Sequence, residues 1–138
     1  MLFRSVEANA LLSKDIRFLF EANSTNLDQK NADNLKNLEA IKRLLQVSPG
    51  STILLRGHVD DAMKPEFEKK GGPAFVREMA LKAMELSKNR ANEIRRLLLE
   101  KHAVDAARLS VVGRGWEEPA GTDSEQNRRV EVQWFTVE

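Results

Sequence analysis

The apolar pattern predicts an α+β fold of two layers in the order β-α-β-α-β-β, a mixed sheet with its helices packed on one face. Three observations carry this reading. Alternating apolar residues at 16–20 and 129–137 mark strands with a buried face. Longer stretches at about 29–47 and 74–102 repeat apolar side chains at helical spacing. Between them stand residues that stop regular structure: Pro49-Gly50, Gly71-Gly72-Pro73, Gly113-Arg114-Gly115 and Pro119-Ala120-Gly121.

Taken in order, Ile16, Phe18 and Phe20 alternate and define the first strand. A polar stretch, Glu21-Ala22-Asn23-Ser24-Thr25-Asn26, follows it, and Asp28 is placed to cap a helix running to Val47. Leu35, Leu38, Ile41 and Leu45 supply that helix's apolar side. Residues 51–57 form a second strand with Ile53 and Leu55 on one face and Leu54 on the other, the mark of a central, covered strand. An extended loop is expected at about 61–73, then a long helix to His102. Residues 109–113 give the third strand. In the last, 129–137, Val130, Val132 and Trp134 share one face. Residues 1–15 are open between a short strand and a flexible arm, and 16–138 form one domain.

Composition narrows the function. A chain of 138 residues, 41% hydrophobic and 31% charged, is long enough for a single core. Lys+Arg number 22 and Asp+Glu 21, so there is no basic excess to suggest nucleic acid. No cysteine is present, which excludes disulfides and thiolate zinc sites. The opening MLFRSVEANALLSKD lacks a sustained apolar stretch and reads as neither a signal peptide nor a membrane span. His58 and His102 are far apart with no metal-binding spacing, and neither Ser87 nor Ser110 has the surroundings of a nucleophile. The expectation is therefore no enzyme, no catalytic residue, no metal and no cofactor.

One residue departs from a plain packing pattern. On a wheel of about 100° per residue, Phe75, Met79, Ala83, Ile94 and Leu97 lie within roughly 80° of Leu86. Arg90 lies about 40° from it, inside the apolar stripe. A permanent cation there needs an anion. Either it escapes to water or forms an internal ion pair, or it binds an anionic ligand, with Ser87 one turn earlier able to add a hydroxyl. Asp60 and Asp61, after the second strand, are the nearest candidate carboxylates. Trp134 belongs to the core by its alternation, whereas Trp116 is open between a loop-packing ring and an exposed anchor.

Five segments in order, FEANSTNL at 20–27, GHVD at 57–60, LSKNRA at 86–91, RLSVVGRG at 108–115 and NRRVE at 127–131, with Pro119 between the last two, resemble the OmpA-like C-terminal domain family. That family is shared by outer-membrane anchors, peptidoglycan-associated lipoproteins and flagellar stator proteins. The resemblance implies a periplasmic, non-catalytic module of the cell envelope. It would bind the diaminopimelate of the peptidoglycan stem peptide and anchor a parent protein or complex to the wall. By it, Asp60 receives the ligand's ammonium group, Arg90 pairs with its carboxylate, and Asn23 and Arg128 complete the pocket. The chain departs from the pattern at Val59, Asp61-Ala62-Met63 and Ala83, in a longer stretch between Asp60 and Leu86, and in a shorter loop before Asn127. The segment at 61–73 reads as a surface elaboration or as a lid, with Phe67 the candidate contact. The alternative function is an interaction domain that keeps the fold and docks an envelope protein partner in place of peptidoglycan.

Overall fold

The computed structural model describes residues 3–5 and 16–137, with side chains from Ile16 to Thr136. Among the described residues, five strands and three helices follow in the order β1 (Phe3–Ser5), β2 (Arg17–Leu19), α1 (Ala32–Val47), β3 (Thr52–Gly57), α2 (Lys64–His102), β4 (Leu109–Gly113), α3 (Ser124–Asn127) and β5 (Arg129–Val137). A 3-10 turn at Ala106–Arg108 leads into β4. The α+β class and the mixed sheet are as the sequence predicts. The rest of the amino-terminal arm, residues 1–2 and 6–15, lies outside the described residues.

The sheet runs β1-β5-β3-β4, with β2 also on β5. β5 is the hub. Its first half pairs with β2 (Phe18 opposite Val130), its second half with β1 (Ser5 opposite Phe135), and its other edge with β3 (Leu55 opposite Val132), all antiparallel. β3 and β4 are parallel, Gly57 opposite Gly113, as a strand–helix–strand crossover requires. Strand alternation then sends Phe18, Ile53, Leu55, Val130, Val132 and Trp134 to one face, where they meet Leu38, Ile41, Ile94, Leu97 and Leu98 of the helices. Each aliphatic or aromatic side chain buried in this layer stabilises the fold by about 1.5–3 kcal/mol.

The opposite face of the sheet is only partly covered. Leu54 and Arg56 of β3 are half-buried there, so β3 is central in the sheet without being covered equally on both sides. Among the described residues no helix is long and apolar enough to cross a membrane.

Three expectations about the helices need correcting. Helix α1 starts at Ala32 and is capped by Asn31, whose side chain accepts from the Asp33 and Asn34 amides; Asp28 instead turns the chain by accepting from Lys30 N at 3.0 Å. Both residues are good capping types, and Asn31 is the one whose side chain meets the free amides of the first turn. Leu35 is 48% exposed, and Asn34 takes the buried position beside it, its amide held by Asp28 O at 2.9 Å.

The expected loop at 61–73 is largely helical. Helix α2 begins at Lys64 and is bent at Gly72 (φ 67, ψ −162), immediately before Pro73. Gly71-Gly72-Pro73 therefore breaks the helix's direction, while Pro65 sits in its first turn, where a missing N–H costs nothing.

Two glycines let α2 approach the sheet closely. A Cβ on Gly57 would fall on the Ser87 carbonyl, and one on Gly113 would sit 2.7 Å from Lys88 N, beside Met84 O. The Ser87 hydroxyl seals this contact. It donates to Met84 O at 2.8 Å and accepts from Gly115 N at 2.9 Å. Ser87 is fully buried and committed, so it does not supply a ligand hydroxyl beside Arg90.

Candidate functional site

Arg90 is wholly buried in the apolar stripe where the wheel put it, but its partners are not carboxylates. Its Nε donates to Ser24 O at 2.8 Å, Nη1 to His58 O at 3.0 Å and Nη2 to Glu21 O at 2.9 Å. The guanidinium also lies 5.4 Å from the Phe20 ring centroid. A planar fork fits three carbonyls that converge from two segments, and a lysine would not. Burial, helped by the nearby Arg128 charge and opposed by Asp60, pushes the Arg90 pKa down to about 10. The group stays charged at neutral pH. The polar stretch after β2 thus bends around Arg90, and the end of β3 is tied to the same cation.

Asp60 pairs elsewhere. Its Oδ2 lies 3.2 Å from Arg128 Nη1, and its Oδ1 accepts from Ala62 N at 3.0 Å. Arg128 in turn donates Nε to Phe20 O at 3.0 Å. Both side chains of this ion pair remain just under one-fifth exposed. Asn23 is exposed at the turn and adopts φ 56, a left-handed conformation that asparagine tolerates better than most residues.

A cavity of about 190 Å³ opens onto these groups. Asn23, Asp60 and Arg90 form its polar part, with Arg128 reaching it through Asp60. Val59, Ala83 and Leu86 form the inner apolar wall. The outer wall comes from Met63, Phe67, Met79 and Trp116, with Lys82 at the same lining. Three of the four residues singled out in the sequence line one cavity, and the fourth, Arg128, does not line it but is ion-paired to Asp60, which does.

Of the outer wall, the sequence singled out only Phe67, as the contact of a lid beside the pocket, and left Trp116 open between two roles. Phe67 of the first α2 segment packs 6.2 Å from the Trp116 ring and edge-on to Phe75 at 5.7 Å, while Lys64 Nζ lies 5.9 Å from the Trp116 centroid. Trp116 is therefore a loop-packing ring and a pocket wall together. The segment expected to be a loop folds against the pocket.

A groove of about 690 Å³ runs between β2, the following turn and α1. Two of its amides are committed to the scaffold: Asn37 Nδ2 donates to Arg17 O and Asn34 Nδ2 to Asp28 O, both at 2.9 Å. None of the four candidate residues lines it.

The neighbours of Asp60 and Arg128 in sequence serve the scaffold. Asn127 clamps the preceding loop by accepting from Ala120 N at 2.7 Å and donating to Gly121 O at 3.0 Å. Arg129 Nη2 donates to Glu118 O at 2.8 Å, and its Nε lies 3.1 Å from Glu131 Oε2. His58 is buried, its Nε2 2.8 Å from Glu131 Oε1. These two contacts to Glu131 are close but poorly aligned as hydrogen bonds. Contact with His58 first, and with Arg129 next, holds the Glu131 carboxyl down at about 2 against the opposing effect of burial. Among the described residues no group of three or more histidine, aspartate or glutamate side chains is arranged to hold a metal.

Comparison with known proteins agrees with this architecture. The chain is 29% identical over 125 residues to the outer membrane protein Omp38 of Acinetobacter baumannii, which covers 86% of this chain but only 30% of that protein. Among solved structures, the C-terminal domain of Helicobacter pylori MotB is similar at 28% identity and a TM-score of 0.62, over 88% of this chain and 84% of that one. The peptidoglycan-associated lipoprotein of Burkholderia pseudomallei shares the fold at a TM-score of 0.65 and 23% identity, over 86% of this chain and 88% of that one. The model of the OmpA family matches residues 19–133, which run from the last residue of β2 into β5 and include every residue of the site, so the chain belongs to the OmpA family.

Proposed function

We propose that this domain binds cell-wall peptidoglycan without catalysis, through the diaminopimelate residue of the stem peptide, and so holds a parent protein or complex to the wall in the periplasm. The observation that carries the reading is a single small cavity bounded by a carboxylate, Asp60, and a buried guanidinium, Arg90. A ligand side chain ending in both an ammonium and a carboxylate matches that pair of opposite charges. Asp60 would receive the ammonium, giving up part of its contact with Arg128. Arg128 N–H groups not committed to Phe20 O would take the carboxylate, and the wholly buried Arg90 would pair with it by charge from behind. Asn23, at the rim, would add a carboxamide. The Burkholderia relative's own description as peptidoglycan-associated fits this reading.

The roles are unequal. Arg90 holds three backbone carbonyls, so its removal would damage the pocket's frame as well as any ligand contact. Asp60 is the cleaner probe, because asparagine keeps the oxygen that accepts from Ala62 N and loses the charge and the acceptor that pairs with Arg128. Co-sedimentation with purified peptidoglycan should show the wild-type protein in the pellet and Asp60→Asn in the supernatant. Asn23→Gly, which preserves the left-handed backbone, should bind more weakly. If the wild-type protein stays in solution, the interaction-domain reading replaces this one.

A further inference from the structure

We propose that Lys82 forms a second anion subsite at the outer end of the pocket, and that the pocket thereby favours a diaminopimelate whose remaining carboxyl group is free, as at the end of a trimmed stem peptide. This inference rests on the peptidoglycan reading above and names the form of the ligand.

The first ground is charge. Lys82, Arg90 and Asp60 line the cavity, so two cations face one carboxylate, and that carboxylate is already paired with Arg128, which does not line the cavity. The nearby Lys64 is engaged over the Trp116 ring, and Asp61, although adjacent to Asp60, does not line the cavity. A ligand side chain with one ammonium and one carboxylate is neutral and leaves that cationic excess in place. A second carboxylate reduces it.

The second ground is spacing. Lys82 precedes Arg90 by eight residues on α2, about 12 Å along the helix axis, and its four-carbon stem can bend the ammonium back toward the cavity. Between the two charges the helix presents Ala83 and Leu86, faced across the cavity by Phe67 and Trp116. A stretch of apolar wall with a polar end and a cationic mouth suits a short methylene chain that carries charge at both ends. Diaminopimelate has that form when neither of its carboxyl groups is masked. When further residues follow it in the stem, the carboxyl nearer the peptide backbone is an amide and carries no charge.

The third ground is availability. Among the described residues Lys82 has no ion pair, in contrast to Arg128 with Asp60 and Arg96 with Glu93 and Glu100. Its side chain is exposed, so no desolvation has to be overcome before it meets an anion.

Calorimetric titration with two synthetic stem tripeptides ending in diaminopimelate tests this, one with a free terminal carboxylate and one with that group as a carboxamide. The wild-type protein should prefer the acid about five-fold at low salt, the scale of an exposed charge pair. Lys82→Met should bind both peptides alike, and Lys82→Arg should restore the preference. Equal affinity of the wild-type protein for the two peptides, or an undiminished preference in Lys82→Met, would overturn the subsite while leaving wall binding intact. Binding of neither peptide by the wild-type protein would overturn the wall-binding reading and the subsite with it.

Discussion

Replacing Arg90 by lysine separates charge from geometry at the centre of the site. The guanidinium makes bonds of 2.8, 3.0 and 2.9 Å to the carbonyls of Ser24, His58 and Glu21, each from a different nitrogen. A lysine ammonium is a single point and can reach about one of those three directions. Two carbonyls would then lose their donor, at about 1–2 kcal/mol each, toward the low end because only the His58 contact is fully buried. The contact of the planar cation with Phe20 would also weaken, by about 0.5–1 kcal/mol. The expected loss is about 2.5–5 kcal/mol, a large share of the roughly 5–15 kcal/mol that holds a domain of this size together. Urea unfolding followed by tryptophan fluorescence would read it as a lower midpoint at unchanged slope. A midpoint shift equivalent to less than about 1 kcal/mol would refute the bracing role given to Arg90. It would also restore the simpler view in which this arginine serves the ligand alone.

Gly57→Ala should be among the most damaging small substitutions, because the added methyl meets the Ser87 backbone carbonyl and not a movable side chain. The helix must back away from β3 and β4, costing about 3 kcal/mol, and thermal melting should fall by about 10 °C. A melting point within a couple of degrees of wild type would show that α2 is not held as closely as described. Glu131 should make the fold acid-sensitive. Its carboxyl lies at about 2 in the folded protein against 4.5 as the ordinary value, so its stabilisation is complete above about pH 4.5 and is lost as pH falls through 2. With its side chain more than a third exposed, that contribution is about 1–2 kcal/mol after allowance for solvent screening. Urea midpoints at pH 5 and pH 3 should differ by less in Glu131→Gln than in the wild-type protein, and equal differences would contradict the assignment.

The fold was readable largely because its strands and the main part of α2 carry clear periodicity. Val130, Val132 and Trp134 alternate, and Ile94 and Leu97 recur on the same helical face as Arg90. The wheel marked Arg90 as a cation in the apolar stripe and asked for an anion, whereas its partners are three backbone carbonyls. It could not identify them, because backbone carbonyls are present at every position and leave no signature in side-chain identity. The pairing of Asp60 with Arg128 was hidden for a related reason: the residues are 68 positions apart and meet only once β5 lies beside β3.

The helical form of the pocket's outer wall was hidden by local chemistry. Gly71-Gly72-Pro73 signals a break, and Gly72 does leave helical geometry, yet helix resumes on either side of it. That lets a single bend carry Phe67 over to Trp116, a contact that neither residue advertises alone. Asp28 and Asn31 illustrate a smaller ambiguity. Both are good capping types, and residue type alone does not choose between them; the structure caps α1 with Asn31.

The most direct test of the account is an NMR titration of the wild-type protein and Asp60→Asn with a muropeptide containing diaminopimelate. The account predicts that the wild-type amide shifts concentrate at Asn23, Asp60, Ala83, Arg90 and Trp116, and that Asp60→Asn keeps the folded spectrum but loses the response. A folded wild-type protein showing no shifts at saturating muropeptide, or shifts confined to the open face of the sheet around Arg56 and Gln133, would contradict it.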